Sequence, residues 1–475
     1  MNYEAVIGLE VHVQLRTRTK IFCGCRVHDE EAAPNTHVCP VCLGYPGALP
    51  VLNARAVELC CRAGLMLDCT LNRISKWDRK NYFYPDMPKN YQISQYDLPL
   101  CLGGRVEAEV GGEHRSFPLT RIHLEEDVAK NTHVGTASLI DFNRAGTPLM
   151  EIVSEPCMQT PDDAMAFLTG LKQILQYGGI SDCDLEKGNM RCDINVSVRP
   201  QGETKLGIKA EIKNMNTFKG VHNALEYEIR RQIDELGRGL TLRQETRRWD
   251  PDSATTSAMR TKEEAHDYRY FPEPDLLPVQ LSEEGIEAWR ADLPELPAHR
   301  RERYVSELGL PEYDAGVLAA DKAVADFFDA ALEAGAAPKA ASNWLMGEML
   351  RLLSEEDRTI GDASVTPEHL AELIRMIDEK TISHSAAKEV FETLFREGGD
   401  PRAIVEERGM AQVSEDSALE PWADQVIAEN PGPAEDYRNG KEASINFLMG
   451  QVMKLSRGKA NPPAVIEILK KKLGG

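Results

Sequence analysis

The stretch Val6-Ile7-Gly8-Leu9-Glu10-Val11-His12-Val13-Gln14-Leu15 decides the fold of the N-terminal region. Its odd positions are apolar throughout, whereas its even positions carry Gly8, Glu10, His12 and Gln14. Strict alternation over this length predicts a β-strand with one buried face. The opposite face then presents a carboxylate and an imidazole two residues apart, pointing in the same direction. Such a pair suits a divalent cation such as Mg²⁺ or Mn²⁺, although an ordinary solvated strand face shows the same pattern.

Further segments repeat this alternation and predict neighbouring strands of one sheet. Arg191–Arg199 and Lys205–Lys213 both alternate, with a turn-like stretch between them, and together predict a β-hairpin. Arg121–Val128 also alternates, and Glu151 interrupts an apolar run, where an acid needs a partner. The charged and imidazole side chains that these strands place on one face are Glu10, His12, Glu125, Glu151, Asp193, Glu211, Arg191, Lys209 and Lys213. Carboxylates that hold ions, beside cations that neutralise a transferred group, are what metal-assisted phosphoryl transfer requires.

The composition indicates an acidic chain of two or three packed domains. It has 475 residues, 42% of them apolar, and a formal net charge of −21, which argues against indiscriminate nucleic-acid binding. No stretch approaches the ~20 apolar residues of a membrane span, so we expect a cytoplasmic protein. Lys441–Gly475 is an exception in charge, with seven Lys or Arg against two Glu and thus a net +5. That asymmetry is typical of an RNA-contacting tail, and also of a solvated helix end.

Four of the eleven cysteines predict a metal site. Cys23-Gly24-Cys25 and Cys39-Pro40-Val41-Cys42 are two close pairs separated by a short loop, which is the spacing of a structural zinc site. In a reducing compartment thiols or a metal are expected rather than disulfides. His28 and His37 are alternative ligands, and reduced cysteines without a metal are the alternative to the site as a whole.

The stretch Lys76–Tyr96 fits no hydrophobic period and is dense in Tyr, Lys, Arg and Asn. Aromatic planes among cations can stack a base and bind phosphates, which makes Lys80, Tyr82 and Tyr84 candidates for contacts to ATP. A well-packed surface loop is the alternative. No Gly-x-x-x-x-Gly-Lys-Ser/Thr motif occurs in the sequence, so we expect any nucleotide to be held without a P-loop.

The C-terminal part of the chain carries helix signals. Beyond Leu293–Pro297 the alternation stops. Thr366-Pro367 predicts a helix start, with Leu370, Leu373, Ile374 and Ile377 at helical spacing behind it. Asn461-Pro462 predicts the start of a last helix.

Seven long motifs, in fixed order, match one protein family. They are Ile7–Val13, Arg79–Asp86, Leu124–Asp127, Asn143–Pro156, Arg191–Asn195, Lys209–Asn214 and Asp267–Asp275. On these residues the chain resembles the B subunits of the aspartyl/glutamyl-tRNA amidotransferases (GatB), over essentially its full length. The resemblance implies an α+β cradle domain with a fold like glutamine synthetase and the guanidino kinases, at residues 1–293. It further implies an all-α helical domain at 294–408 and a small all-α, tRNA-binding tail at 409–475.

The resemblance also implies a reaction and partners. The family phosphorylates the side-chain carboxylate of Glu or Asp misacylated onto tRNA, using ATP and Mg²⁺, and then replaces the activated oxygen with ammonia. An A subunit supplies that ammonia by hydrolysing glutamine, and the pair is braced by a C subunit. The metal ligands that the resemblance implies are Glu10, His12, Glu125 and Glu151, and the zinc ligands, present in only part of the family, are Cys23, Cys25, Cys39 and Cys42.

The residues themselves suggest further contacts and leave two rivals. Arg191, Lys209 and Lys213 are candidates for the phosphates, and Asp193 and Glu211 for a second cation. One rival is a stand-alone ligase like glutamine synthetase, against which the helical C-terminal half with its +5 end argues. The other is a non-catalytic scaffold that presents tRNA, in which the acidic face holds only a structural ion. No glutaminase signature is evident in the sequence, so we expect a partner to supply ammonia.

Overall fold

The structure is a computed structural model that describes residues 2–27, 31–215, 217–260, 268–413, 416–456 and 458–474. The chain divides into two compact units, one up to Leu296 and one from Pro297 onward. The first combines a large sheet with helices, and the second is helical. The predicted order of a sheet-containing N-terminal region and a helical C-terminal region is therefore confirmed. Among the described residues, no helix is long and apolar enough to cross a membrane.

One ten-stranded sheet dominates the first unit. From one edge to the other its strands are β15 (Thr255–Arg260), β14 (Glu245–Asp250), β13 (Ala210–Met215), β12 (Met190–Pro200), β1 (Tyr3–Gln14), β11 (Pro148–Ser154), β8 (Glu113–Glu126), β6 (Cys101–Leu102) and β2 (Thr70–Leu71), with β7 (Arg105–Val110) paired to β8. All its pairings are antiparallel except that of β13 with β14. The predicted hairpin is confirmed as β12 and β13.

Strand β1 lies at the centre of this sheet because both of its faces are specified by its sequence. Its odd-numbered apolar residues from Ile7 to Val13 are buried, which confirms the predicted strand and its orientation. On the other face, His12 lies opposite Glu151 of β11 and opposite Arg191 of β12. A slip of one residue would exchange the two faces, so the burial of the apolar set fixes the register of the polar one.

Three helices pack on the buried face of the sheet: α1 (Ala54–Met66), α2 (Pro161–Tyr177) and α3 (Phe218–Gly237). The helix predicted at residues 54–67 is confirmed as α1. Helix α2 begins with a capping box, in which the Thr160 side chain accepts from Asp163 N–H while Asp163 accepts from the Thr160 backbone. The polar face of the sheet is left for the functional site. The first unit also contains α4 (Glu283–Ala291).

Three small sheets complete the first unit. They are β4 (Asp78–Asn81) between β5 (Tyr91–Ser94) and β16 (Phe271–Pro272), β3 (Ile74–Ser75) with β17 (Val279–Gln280), and β9 (Lys130–Val134) with β10 (Ala137–Asp141). The first of these brings residues near 270 beside residues near 80, a pairing that spans about two-fifths of the chain.

The second unit contains two clusters of buried apolar residues. One extends from Tyr304 to Val405 and the other from Leu419 to Leu473. Its helices are α5 (Pro297–Ser306), α6 (Glu312–Ala320), α7 (Lys322–Glu333), α8 (Pro338–Trp344), α9 (Leu350–Glu355), α10 (Pro367–Asp378), α11 (His384–Glu397), α12 (Pro401–Glu407), α13 (Asp416–Glu429), α14 (Pro431–Arg438), α15 (Ser444–Leu455) and α16 (Pro462–Leu473). The predicted N-caps Thr366 and Asn461 are both confirmed, since each side chain accepts a hydrogen bond from the first turn of its helix.

Candidate functional site

Three of the four predicted magnesium ligands converge on the polar face of the sheet. His12, Glu125 and Glu151 each place a ligand atom within 4.8 Å of the other two. His12 Nε2 lies 3.4 Å from Glu151 Oε2 and 3.8 Å from Glu125 Oε1. The register explains the cluster: His12 is directly opposite Glu151, and Glu125 is opposite Leu149, two residues from Glu151 and on the same face.

His123 is a fourth member of this cluster and was given no role by the sequence. It lies opposite Glu151 on β8, with Nε2 3.4 Å from Glu151 Oε2 and 3.9 Å from Glu125 Oε2. Its side chain is buried, and its Nδ1 has no hydrogen-bond partner in the described part of the chain. The alternation of Arg121–Val128 placed His123 on the correct face, so a signal was present. What the sequence lacked was the neighbour across the sheet.

The two imidazoles differ in charge. Burial lowers the pKa of His123, which keeps the ring neutral. Burial also opposes protonation of His12, but the hydrogen bond to Glu151 and the charges of Glu151 and Glu125 outweigh it and raise the pKa of His12 to about 9. Two nearly buried carboxylates that share one imidazolium carry more negative charge than their immediate surroundings balance. Oxygen ligands with one imidazole nitrogen fit Mg²⁺ or Mn²⁺.

Glu10, the fourth predicted ligand, lies apart from this cluster. Its carboxylate accepts a hydrogen bond of 2.8 Å from Asn195 Nδ2. It lines a cavity of about 700 Å³ on the same face of the sheet, together with Asn195, Ser197, Gly207 and Lys209. Because Glu10 is two residues from His12 on one strand face, this cavity adjoins the metal-ligand cluster.

The predicted phosphate and second-cation residues pair largely with one another. Lys213 Nζ lies 2.7 Å from Asp193 Oδ2 and 3.5 Å from Glu211 Oε1. Arg191 donates a hydrogen bond of 2.7 Å to the buried carboxylate of Asp127. In the described ranges Asp193 and Glu211 do not belong to a group of three with metal-ligand spacing. Lys213 therefore occupies the position between the two acids.

Lys80 and a group of tyrosines form a second wall beside the cluster. Lys80 Nζ lies 5.0 Å from the centre of the Tyr268 ring, and Tyr82 meets Tyr268 edge to face at 6.4 Å. Tyr270 stacks on Tyr96 at 4.3 Å.

Burial opposes the charge of Lys80, but Glu125, the phenol of Tyr270 and Glu151 outweigh it and raise the pKa of Lys80. Lys80 therefore stays cationic beside the carboxylates. Tyr84, the third predicted ATP contact, is 49% exposed.

Sequence reasoning missed Tyr268 and Tyr270 as members of this wall. Both belong to the motif Asp267–Asp275, which supplied a family resemblance but no role, and Asp267 itself lies outside the described residues. The pairing of β16 with β4 brings them to Lys80.

The four predicted zinc ligands also converge. Cys23, Cys25, Cys39 and Cys42 place their sulfur atoms within 4.8 Å of one another, and Cys42 Sγ accepts a hydrogen bond of 3.2 Å from Cys39 N–H. The Cys23 thiol hydrogen bond, the Cys39 backbone and the Lys20 ammonium lower the pKa of Cys42 to about 4, against the effect of burial. Four thiols in this arrangement are compatible with a structural zinc ion. The alternative ligand His28 lies outside the described residues.

Known proteins match the chain along its whole length. Residues 5–287 match the family model of the GatB/GatE catalytic domain, and residues 326–473 match that of the GatB domain. The chain is 56% identical over 474 residues to the B subunit of the aspartyl/glutamyl-tRNA(Asn/Gln) amidotransferase of Thermoanaerobacter sp. (strain X514), with 100% of both chains covered. It is 54% identical over 474 residues to the protein of that name from Caldanaerobacter subterraneus subsp. tengcongensis, and 52% identical over 480 residues to that from Geotalea uraniireducens, again with 100% of both chains covered.

Proposed function

The chain belongs to the family of aspartyl/glutamyl-tRNA(Asn/Gln) amidotransferase B subunits, and from this we propose that it catalyses the ATP-dependent step of tRNA-dependent amidation. Its substrate is Glu-tRNA(Gln), Asp-tRNA(Asn) or both. A side-chain carboxylate oxygen attacks the γ-phosphorus of ATP, ADP leaves, and an acyl phosphate results. Ammonia then attacks the acyl carbon and inorganic phosphate leaves. The observation that carries this proposal is the cluster of His12, Glu125 and Glu151 on one open sheet face.

We infer that His12, Glu125 and Glu151 hold Mg²⁺ or Mn²⁺, and that His123 orients Glu151 from the buried side. When bound, the ion neutralises negative charge on the transferred phosphoryl group. Metal-bound carboxylates are commonly held by a further hydrogen bond, and the 3.4 Å separation of His123 Nε2 from Glu151 supports that arrangement here. Lys80 adds a fixed positive charge on the far side of the two carboxylates.

We place ATP in the cavity that Glu10 lines, with its phosphates directed along the sheet toward His12. Glu10, Asn195 and Lys209 line this cavity. An added Cβ at Gly207 would lie 2.1 Å from Val198 O, so only glycine permits the close backbone approach of this loop. Glu10 then acts at the border between nucleotide and metal, either as a ligand that moves by a side-chain rotation or through a water molecule.

Partners complete the reaction. The names of the relatives describe one component of a larger enzyme, which supports a complex with an A subunit that releases ammonia from glutamine and with a C subunit. We assign the cradle, with a fold like glutamine synthetase, to residues 1–293, a helical domain to 294–408 and the tRNA-binding tail to 409–475. The two separate apolar clusters of the second unit support the latter division.

Reconstitution tests this function. The chain is purified with its A and C subunits and given Glu-tRNA(Gln) or Asp-tRNA(Asn), ATP and glutamine. ADP and amidated aminoacyl-tRNA should form in equal amounts, and ADP formation should require the misacylated tRNA. Correctly acylated Gln-tRNA(Gln) is the control, because its side chain has no carboxylate to phosphorylate. Amide formation without ADP, or ADP formation independent of tRNA, would contradict the proposal.

A further inference from the structure

Lys20 is a lysine enclosed entirely within the first unit. None of its surface is exposed, and its ammonium donates to His37 O at 2.8 Å and to Phe142 O at 3.3 Å. Its third neighbour is Cys42 Sγ, at 3.6 Å. In the ranges that the structure describes, no carboxylate lies within ion-pair distance of Lys20.

A buried ammonium is unfavourable unless a counter-charge and hydrogen-bond acceptors surround it. Carbonyl oxygens supply the acceptors, and the sulfur of Cys42 is the neighbour that can supply the charge. Four thiolates around a divalent ion carry a net charge of −2, which is itself unfavourable in a low-dielectric interior. Each group therefore removes the electrostatic penalty of the other.

We propose that Lys20 is the positioning residue that balances the charge of a zinc ion on Cys23, Cys25, Cys39 and Cys42 and joins that site to the segment Ile140–Gly146. This role is separate from phosphoryl transfer, and its test does not depend on amidotransferase activity.

The second half of the proposal rests on a set of hydrogen bonds around Phe142. Asn35 N–H donates to Asp141 Oδ1 at 2.9 Å, and the N–H of Phe142 donates to Asn35 Oδ1 at 2.8 Å. The N–H of His37 donates to Asn143 Oδ1 at 2.7 Å. The loop that carries Cys39 and Cys42 is thus fastened to Ile140–Gly146 from both sides, with Lys20 between them.

From Ile140–Gly146 the contacts continue toward the metal-ligand cluster. Gly146 N–H donates to Asp127 O at 2.9 Å, and Arg144 lies 3.7 Å from the Asp127 carboxylate. Asp127 follows Glu125 by two residues, and the strand that bears Glu151 begins just after Gly146, at Pro148. Loss of zinc should therefore loosen a segment that leads into two strands of the site.

Zinc affinity tests the charge-balancing half. Lys20→Met keeps the length of the side chain and removes its charge, Lys20→Arg keeps the charge, and Arg18→Met removes a charge from an exposed neighbour as the control. Zinc affinity is measured on the full chain by competition with a chromophoric chelator. Loss of a partner of a metal ligand typically weakens binding about 10–100-fold, which we expect for Lys20→Met and not for Arg18→Met. A folded Lys20→Met chain with wild-type zinc affinity would overturn the proposal, as would equal loss in Lys20→Arg and Lys20→Met.

Hydrogen exchange on the wild-type chain tests the joining half and needs no variant to fold. Zinc is removed with a chelator and then restored, and peptides covering 140–147 are followed by mass spectrometry. We expect faster exchange in 140–147 without zinc and recovery when zinc returns, with helix α2 unchanged as the internal control. Exchange in 140–147 that does not respond to zinc would overturn this half, and the four cysteines would then be isolated from the site.

Discussion

Replacing His123 with Phe should weaken metal binding by about tenfold without abolishing it. The aromatic ring keeps most of the buried volume, so the change removes the two ring nitrogens and little packing. A hydrogen bond to a charged group contributes about 1.5–3 kcal/mol, and the 3.4 Å separation of His123 Nε2 from Glu151 Oε2 places this contact at the lower end. Since about 1.4 kcal/mol corresponds to a factor of ten, the dissociation constant for Mn²⁺ should rise about tenfold.

Electron paramagnetic resonance of free Mn²⁺ measures this constant directly on the reconstituted complex. His133→Phe is the matched control, because His133 lies in the exposed hairpin of β9 and β10 and its Nδ1 pairs with Ser138 of the same hairpin. An unchanged constant for His123→Phe would show that Glu151 needs no orienting partner. A loss greater than about a thousandfold would refute the reasoning in the opposite direction, because His123 would then have to be a direct ligand.

Three further predictions concern other parts of the chain. Elemental analysis should find about one zinc per chain, and Cys39→Ser should lower that content, whereas a metal-free wild-type protein would reject the site. Removing residues from Ser414 onward should weaken tRNA binding at moderate salt while ATP binding persists, and unchanged tRNA affinity would reject the tail. Burial opposes ionisation of Asp127, but Arg191 and Arg144 outweigh it and lower its pKa. Asp127 thus stabilises the fold above its unfolded pKa of about 3.9, and this contribution disappears as pH falls through the lower folded value. Midpoints of urea unfolding at pH 3 to 6 should fall less steeply toward acid in Asp127→Asn than in wild type.

The parts of the site that lie on β1, β8 and β11 follow from alternation alone. Once Ile7 and its apolar neighbours are buried, His12 must point to the other face, and the same holds for Glu125. Alternation gives the face but not the distance across the sheet, which depends on register. For that reason the sequence grouped Glu10 with His12, whereas the structure turns Glu10 toward Asn195.

Contacts between distant segments were beyond sequence reasoning. Tyr268 and Tyr270 reach Lys80 only because β16 pairs with β4, and no local pattern encodes that pairing. Lys213 was a candidate for phosphate binding, yet it lies between Asp193 and Glu211. Lys20 has the residue type of a surface position and is fully buried. In each case a long-range contact, rather than a local propensity, decides where the side chain lies.

The central claim is that the cluster on the sheet face carries phosphoryl transfer, and Glu125→Gln tests it most directly. The change keeps the shape of a nearly buried side chain and removes one of the two carboxylates that lie near His12. Loss of one such electrostatic contact commonly lowers the rate by about 10²–10³. Radiolabelled ATP cleavage and glutamate release are measured in the same reconstituted complex with misacylated tRNA. We predict that tRNA-dependent ATP cleavage falls by that factor while glutamine hydrolysis by the A subunit continues. ATP cleavage at a near wild-type rate in Glu125→Gln would contradict the account.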